Sequence, residues 1–208
     1  MVTRMDRTLG RMREVLGETG QADNTIIVFT SDNGATYLGG YDLGFFGGNL
    51  PLRGHKGQFW EGGIRVPCAI AWPGTIPPGK ISDTVAANWD FLPTLATAAG
   101  VEVPPEIDGV NLIPSLIAGE QLPERILYWE STNGGGSQAI RSGEWKALRQ
   151  GVKKDARAPI QLFRITGDIA EEHDLAPSEP ELVERFSRIF VEGRTPSTRF
   201  PMGALDGK

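Results

Sequence analysis

Along the first sixteen residues, apolar side chains return every third or fourth position: Met5, Leu9, Met12, Val15 and Leu16. Arg4, Asp6, Arg7, Arg11, Arg13 and Glu14 fill the intervals. That spacing predicts an amphipathic helix. It is already in mid-pattern at its first residue with no capping residue before it, the expected look of a helix cut from a longer stretch of chain; the alternative is a helix that starts here naturally with Thr3 as its cap. Gly17, Gly20 and Asp23-Asn24 mark its end. Thr25 to Thr30 is then an unbroken β-branched and aromatic run, which predicts a strand buried on both faces, interior to a parallel or mixed sheet. Helix, short connection and buried strand together make an α/β unit.

Residues 35–63 are rich in glycine and aromatics and lack sustained periodicity. A loop of that length is functional or disordered, and Phe45, Phe46, Phe59 and Trp60 favour an ordered site loop. Arg65 to Trp72 predicts a second buried strand, stopped by Pro73-Gly74. Asp90 is placed to cap a helix through Phe91, Leu92, Leu95 and Ala98 to Gly100, with Pro93 in its first turn. Beyond residue 120 the pattern changes to short, partly alternating segments: Ile126 to Glu130, Ser137 to Arg141, Trp145 to Arg149 and Ile160 to Arg164. Glycine-rich and polar connections separate them, which predicts a small antiparallel sheet. A last amphipathic helix, Pro180 to Val191, is entered from Ser178 and carries Leu182, Val183, Phe186, Ile189 and Phe190 as its apolar stripe. The expected division is therefore the end of an α/β domain at 1–119 and a small α+β subdomain at 120–208.

The 208 residues have room for one good-sized domain and an appendage. With 39% hydrophobic and 23% charged residues the chain has the balance of a globular protein rather than a disordered tail. A net charge of -5 and a pI near 5.2 give no electrostatic footprint for nucleic acid. No basic amphipathic stretch suits an anionic membrane, and no apolar run approaches the ~20 residues a span needs. The single cysteine, Cys68, permits no intrachain disulfide, and its apolar neighbours predict a buried thiol. Neither an apolar h-region nor a cleavage site opens the chain, so no signal peptide is read and the compartment stays open.

Ligands of open α/β sheets gather at the carboxyl ends of strands, where Ser31-Asp32-Asn33-Gly34 follows the first strand. Asp32 and Asn33 offer adjacent hard oxygen donors, suited to calcium or magnesium. The same tetrapeptide is also an ordinary turn former. It is not an EF-hand loop, because Phe29 and Ser31 stand where acidic or amide residues are required. Lys56, within Leu52-Arg53-Gly54-His55-Lys56-Gly57, can bring a cation close to an anion, or can belong with Arg53 and His55 to a solvated loop. No Gly-Lys-Ser/Thr occurs in this segment, so it is not a P-loop. His55 is a candidate substrate contact, and His173, between Glu172 and Asp174, reads as solvent-facing. Glu61-Gly62-Gly63 predicts a tight turn, with Glu61 orienting Lys56 or Arg65.

Residues 23–34 resemble the strand and metal-ligand turn of the arylsulfatase-type, formylglycine-dependent sulfatase family. Residues 52–67, Leu-Arg-Gly-His-Lys-Gly-Gln-Phe-Trp-Glu-Gly-Gly-Ile-Arg-Val-Pro, look like that family's sulfate-contacting lysine loop. Trp72-Pro73-Gly74, Asp90 to Leu95 with Ala99-Gly100, and Asp108-Gly109 are similar to its run-on. Residues 139–146 and Asp174-Leu175-Ala176 match its C-terminal subdomain. The resemblance spans nearly the whole chain and implies the C-terminal portion of an alkaline-phosphatase-like α/β fold with a small α+β subdomain. It implies hydrolysis of sulfate esters as the activity, a calcium ion (magnesium as the alternative) as cofactor, and a formylglycine nucleophile. By match, Asp32 and Asn33 would be metal ligands, and Lys56 would bind the sulfate and assist the leaving oxygen, with His55 as a neighbouring substrate contact.

Cys/Ser-x-Pro-x-Arg, the motif that would supply formylglycine, is absent: Cys68, Ser178 and Ser197 all fail it. The paired aspartates and the upstream histidine of the family's site are missing too. The expected partner is therefore the N-terminal half of the sulfatase domain, and the chain alone is expected to be inactive. Two other readings stand beside this one: a non-catalytic sulfatase remnant or interaction module, and a phosphodiesterase or phosphonate hydrolase of the same superfamily. Relatives of this type are often periplasmic, secreted or lysosomal, which leaves the localisation undecided.

Overall fold

The three- and four-residue spacing of the first apolar positions does form a helix. In the computed structural model, which describes residues 2–207, α1 spans Val2–Glu18. It is followed by β1 (Ile27–Thr30), short helical turns α2 (Leu43–Phe46) and α3 (Glu61–Ile64), and β2 (Cys68–Ala71). Then come α4 (Phe91–Ala98), α5 (Ile113–Ala118), strands β3 (Ile126–Ser131), β4 (Ser137–Ser142), β5 (Trp145–Gln150) and β6 (Gln161–Arg164), and finally α6 (Pro180–Glu192). No helix among the described residues is long and apolar enough to cross a membrane. The chain divides into two compact units: residues 1–30 with 67–123, and residues 31–66 with 124–208. The long loop thus groups with the C-terminal strands, not with the helices that flank it in sequence.

In the first unit β1 and β2 pair antiparallel, Ile27 opposite Ala71 and Thr30 opposite Cys68. An antiparallel pair excludes a parallel one here and agrees with a mixed sheet, and the second strand is shorter than Arg65 to Trp72. Nor is either strand buried on both faces: Phe29 is 45% exposed, and Cys68 is exposed rather than a core thiol. An apolar run signals low water affinity on both sides of a strand, but it cannot say which elements cover them. Asp90 does occupy the N-cap position of α4, but its side chain makes no capping bond to that helix. Its buried carboxylate accepts from the Ala87 amide at 2.7 Å and the Val110 amide at 3.0 Å. It thereby ties the entry to α4 to the chain that leads into α5.

In the second unit β3, β4, β5 and β6 form an antiparallel sheet in that order, so each strand neighbours the next in sequence. The strand positions are those the alternation predicts, to within a residue or two at the ends. Successive side chains point to opposite faces of a strand, and here both faces are covered. On one, Ile140, Ala147 and Leu162 pack under Phe186 and Phe190 of α6, the predicted stripe. This helix begins at Pro180 with Glu179, not Ser178, preceding it. On the other face Ala139, Leu148 and Phe163 meet Trp60 from the long loop, whose ring stands edge-on to Phe163 at 5.6 Å. Fully burying one such large side chain contributes about 1.5–3 kcal/mol, so Trp60 anchors its loop firmly to the sheet. The tail is tied down by polar contacts, Arg194 bridging Glu130 at 3.0 Å and Asp206 at 2.6 Å.

Candidate functional site

The Asp32-Asn33 turn and the Lys56 loop meet along their backbones. The Gly34 amide donates to the Gly63 carbonyl at 2.9 Å, and the Lys56 amide to the Ala35 carbonyl at 2.9 Å. Asn49 completes the seam. Its Oδ1 accepts from the Ala35 amide at 3.1 Å, and its Nδ2 donates to the Gly54 carbonyl. Such close approach demands residues without side chains. A Cβ on Gly62 would stand 2.5 Å from the Arg53 carbonyl oxygen, and one on Gly63 would stand 2.1 Å from that of Gln58. The Gly-Gly pair of residues 62 and 63 is therefore a packing requirement, and it forms part of a helical turn, α3, rather than the tight turn the sequence suggests.

Around this seam the candidate polar groups are free to act. Asp32 and Lys56 are exposed, and neither side chain has a hydrogen bond or ion pair among the described residues. Asn33 uses its Nδ2 on the Gly34 carbonyl at 3.0 Å, which leaves its Oδ1 available as a ligand. An acid and an amide oxygen on one turn suit a hard divalent cation. His55 is half-buried, its Nδ1 3.0 Å from the Lys56 carbonyl oxygen and its ring edge-on to Tyr37 at 4.8 Å. The structure thus joins, backbone to backbone, the turn that carries Asp32 and Asn33 and the loop that carries His55 and Lys56.

Glu61 does not serve Lys56 directly. Its Oε1 accepts from the Nζ of Lys146 at 2.8 Å, while Oε2 lies 3.6 Å from Arg65 and 4.0 Å from Arg141. Lys146 is fully buried and also lies 2.8 Å from Oε1 of Glu171, itself fully buried. That second contact falls outside hydrogen-bonding angles and is purely ionic. Glu171 uses Oε2 to accept from the Glu61 amide at 2.6 Å. Burial pushes the Glu171 carboxyl above the usual range, against the pull of Lys146. Burial likewise lowers the Arg141 guanidinium, opposed by Glu61. Asn49, Lys146 and Glu171 were not picked out from the sequence. A lysine two residues before Leu148, and so on the same strand face as that core residue, is the signal that could have found Lys146.

A separate group, Asp168, Glu172 and His173, has ligand atoms within 4.8 Å of one another. Its carboxylate already works as a loop cap, accepting from the Glu172 and His173 amides at 3.0 and 2.8 Å. Burial would raise the Asp168 pKa, but the two amides together with the His173 side chain outweigh it, so the net shift is downward. His173 is 76% exposed, as its charged neighbours suggest.

Comparison with known proteins decides the family. The model of the family described as Sulfatase matches residues 1–101. N-acetylgalactosamine-6-sulfatase of Homo sapiens is 31% identical over 214 residues, which cover 97% of this chain and 38% of that protein. The chain belongs to the sulfatase family. Steryl-sulfatase of Mus musculus is 39% identical over 155 residues, covering 71% of this chain and 25% of the relative. Among solved structures, Ps i-CgsB superposes with a TM-score of 0.81 at 34% identity, over the whole of this chain and 45% of that one. The protein titled BT4656, in complex with D-glucosamine-2-N,6-O-disulfate, reaches 0.73 at 25% identity, over 92% of this chain and 39% of that one. The fold is thus the alkaline-phosphatase-like fold of sulfatases. The chain spans less than half the length of these curated and solved relatives.

Proposed function

We propose that the protein to which this sulfatase chain belongs hydrolyses sulfate esters, with Lys56 contacting the sulfate and Asp32 and Asn33 contributing to a divalent metal site. The supporting observation is the hydrogen bond from the Lys56 amide to the Ala35 carbonyl, which ties the cationic loop to the acidic turn. Asp32 and Asn33 would hold calcium, or magnesium in its place, through oxygen. The bound cation would draw charge from the sulfate oxygens. Formylglycine would supply the nucleophile, from a segment other than the residues described, since no Cys/Ser-x-Pro-x-Arg lies within them. Lys56 would hold its ammonium against the ester, stabilising charge as it gathers on the leaving oxygen. His55, steadied by Tyr37, would line the substrate beside it. In this reading residues 1–119 are part of the catalytic domain and 120–208 an appended subdomain, with the N-terminal half of the domain as the partner that completes the site.

The test compares 4-nitrophenyl sulfate with the phosphate and phenylphosphonate esters as substrates of the whole protein, after chelation and after calcium is restored. Preferred, calcium-dependent turnover of the sulfate, lost in Asp32→Ala, is expected. Preferred turnover of the phosphonate ester would assign the site to a phosphonate hydrolase instead.

A further inference from the structure

Glu171 grips the Lys56 loop on both sides of the lysine. Three residues before Lys56, Arg53 donates from Nη1 to the Glu171 carbonyl at 2.9 Å. Five residues after it, Glu61 donates its amide to the Glu171 carboxylate at 2.6 Å. Arg53 is further braced by lying over the Trp60 ring, 3.7 Å from its centre. Lys146 closes the arrangement from beneath, its ammonium 2.8 Å from a carboxylate oxygen of both Glu61 and Glu171. Lys146 sits in β5 on the sheet face that Trp60 covers, directly across from Arg141 of β4. Glu171 itself has a φ of 56°, and it is the one non-glycine residue with positive φ among those described. A non-glycine residue held there is strained and persists only when its surroundings over-determine it.

Stability alone does not account for this construction. Well-packed apolar side chains in place of a buried ion cluster are often neutral or stabilising. What a buried cluster of paired charges supplies is one fixed geometry. We propose that Lys146, with Glu61 and Glu171, is a positioning group that sets the Lys56 loop in register for the reaction. It acts through Lys56 and does not touch the substrate. The proposal rests on the assignment of Lys56 to the sulfate site.

A double-mutant cycle on the whole protein tests it, with Lys146→Met, Lys56→Ala and the double variant assayed on 4-nitrophenyl sulfate. Lys146→Met should lower kcat on the order of a hundredfold, the effect of a small misplacement of a reacting group, with KM little changed. In the Lys56→Ala background the same change should cost less than about threefold, because the group it positions is gone. Equal losses in both backgrounds would mark a general structural role and overturn the proposal, as would an unaffected kcat in Lys146→Met alone. An inert Lys56→Ala would overturn the sulfate-site assignment as well, so the two failures are distinguishable. If Lys146→Met does not fold, Glu171→Gln, which keeps an acceptor for the Glu61 amide, enters the same cycle with the same expected outcomes.

Discussion

Gly34 and Gly62 approach so closely that a Cβ on the first would stand 1.8 Å from the carbonyl oxygen of the second. No side-chain rotation can relieve a clash with backbone. Gly34→Ala must therefore push the acidic turn away from the lysine loop. Overpacking of this kind destabilises by about 1–3 kcal/mol, and the urea midpoint of Gly34→Ala should fall accordingly. A native midpoint in this variant would mean that the seam is looser than described.

Gly10 offers the opposite case. It lies within α1, exposed, and a Cβ there would meet nothing within 4 Å. Gly10→Ala should stabilise that helix by about 0.5–1 kcal/mol, the entropic cost of glycine in a helix interior. Thermal melting checks it, and a lowered midpoint would argue against a helix at this position.

Asn49 joins the turn to the loop through both ends of its amide. Asn49→Ala removes both bonds, each with a net contribution of about 0.5–1.5 kcal/mol. The Ala35 amide should then exchange with deuterium roughly tenfold faster, the equivalent of about one such bond. Unchanged exchange at Ala35 would show that the backbone bonds hold the seam without Asn49.

The pH dependence of stability follows from Glu171. Burial raises its folded-state pKa above the usual carboxylate range. Such a group favours the fold fully below its unfolded pKa, and that contribution is lost as pH rises through the folded value. Glu171→Gln cannot ionise, so the variant should gain stability relative to the native protein as pH rises from about 4.5 towards neutrality. Urea unfolding across that range measures the difference. A native protein that gains on the variant instead would show that Lys146 outweighs desolvation.

These groups also mark where sequence reasoning succeeds and where it stops. The strands Ile126–Ser131 to Gln161–Arg164 were legible because local alternation and glycine turns fix an antiparallel meander between sequence neighbours. The stripe of α6 was legible for the same reason, since one face of one helix carries the signal. Cys68 and Phe29 were misjudged because burial depends on partners that a run of apolar letters does not name. The Lys146 cluster was invisible because its contacts lie 85 residues from Glu61 along the chain, and the Glu61 amide reaches 110 residues to Glu171. Asp32, Asn33, His55 and Lys56 were singled out through the family resemblance of their motifs. The backbone seam that unites them was not.

The most direct test of the account is the kcat of Lys56→Ala in the whole protein with a sulfate ester. Removing a preorganised donor to developing charge lowers turnover about a hundred- to a thousandfold, and KM should change far less. Lys56→Arg should not restore the rate, because a planar guanidinium differs in reach and geometry from an ammonium. A Lys56→Ala enzyme with kcat within about threefold of native, on the scale of such losses, would contradict the assignment of this loop to the sulfate.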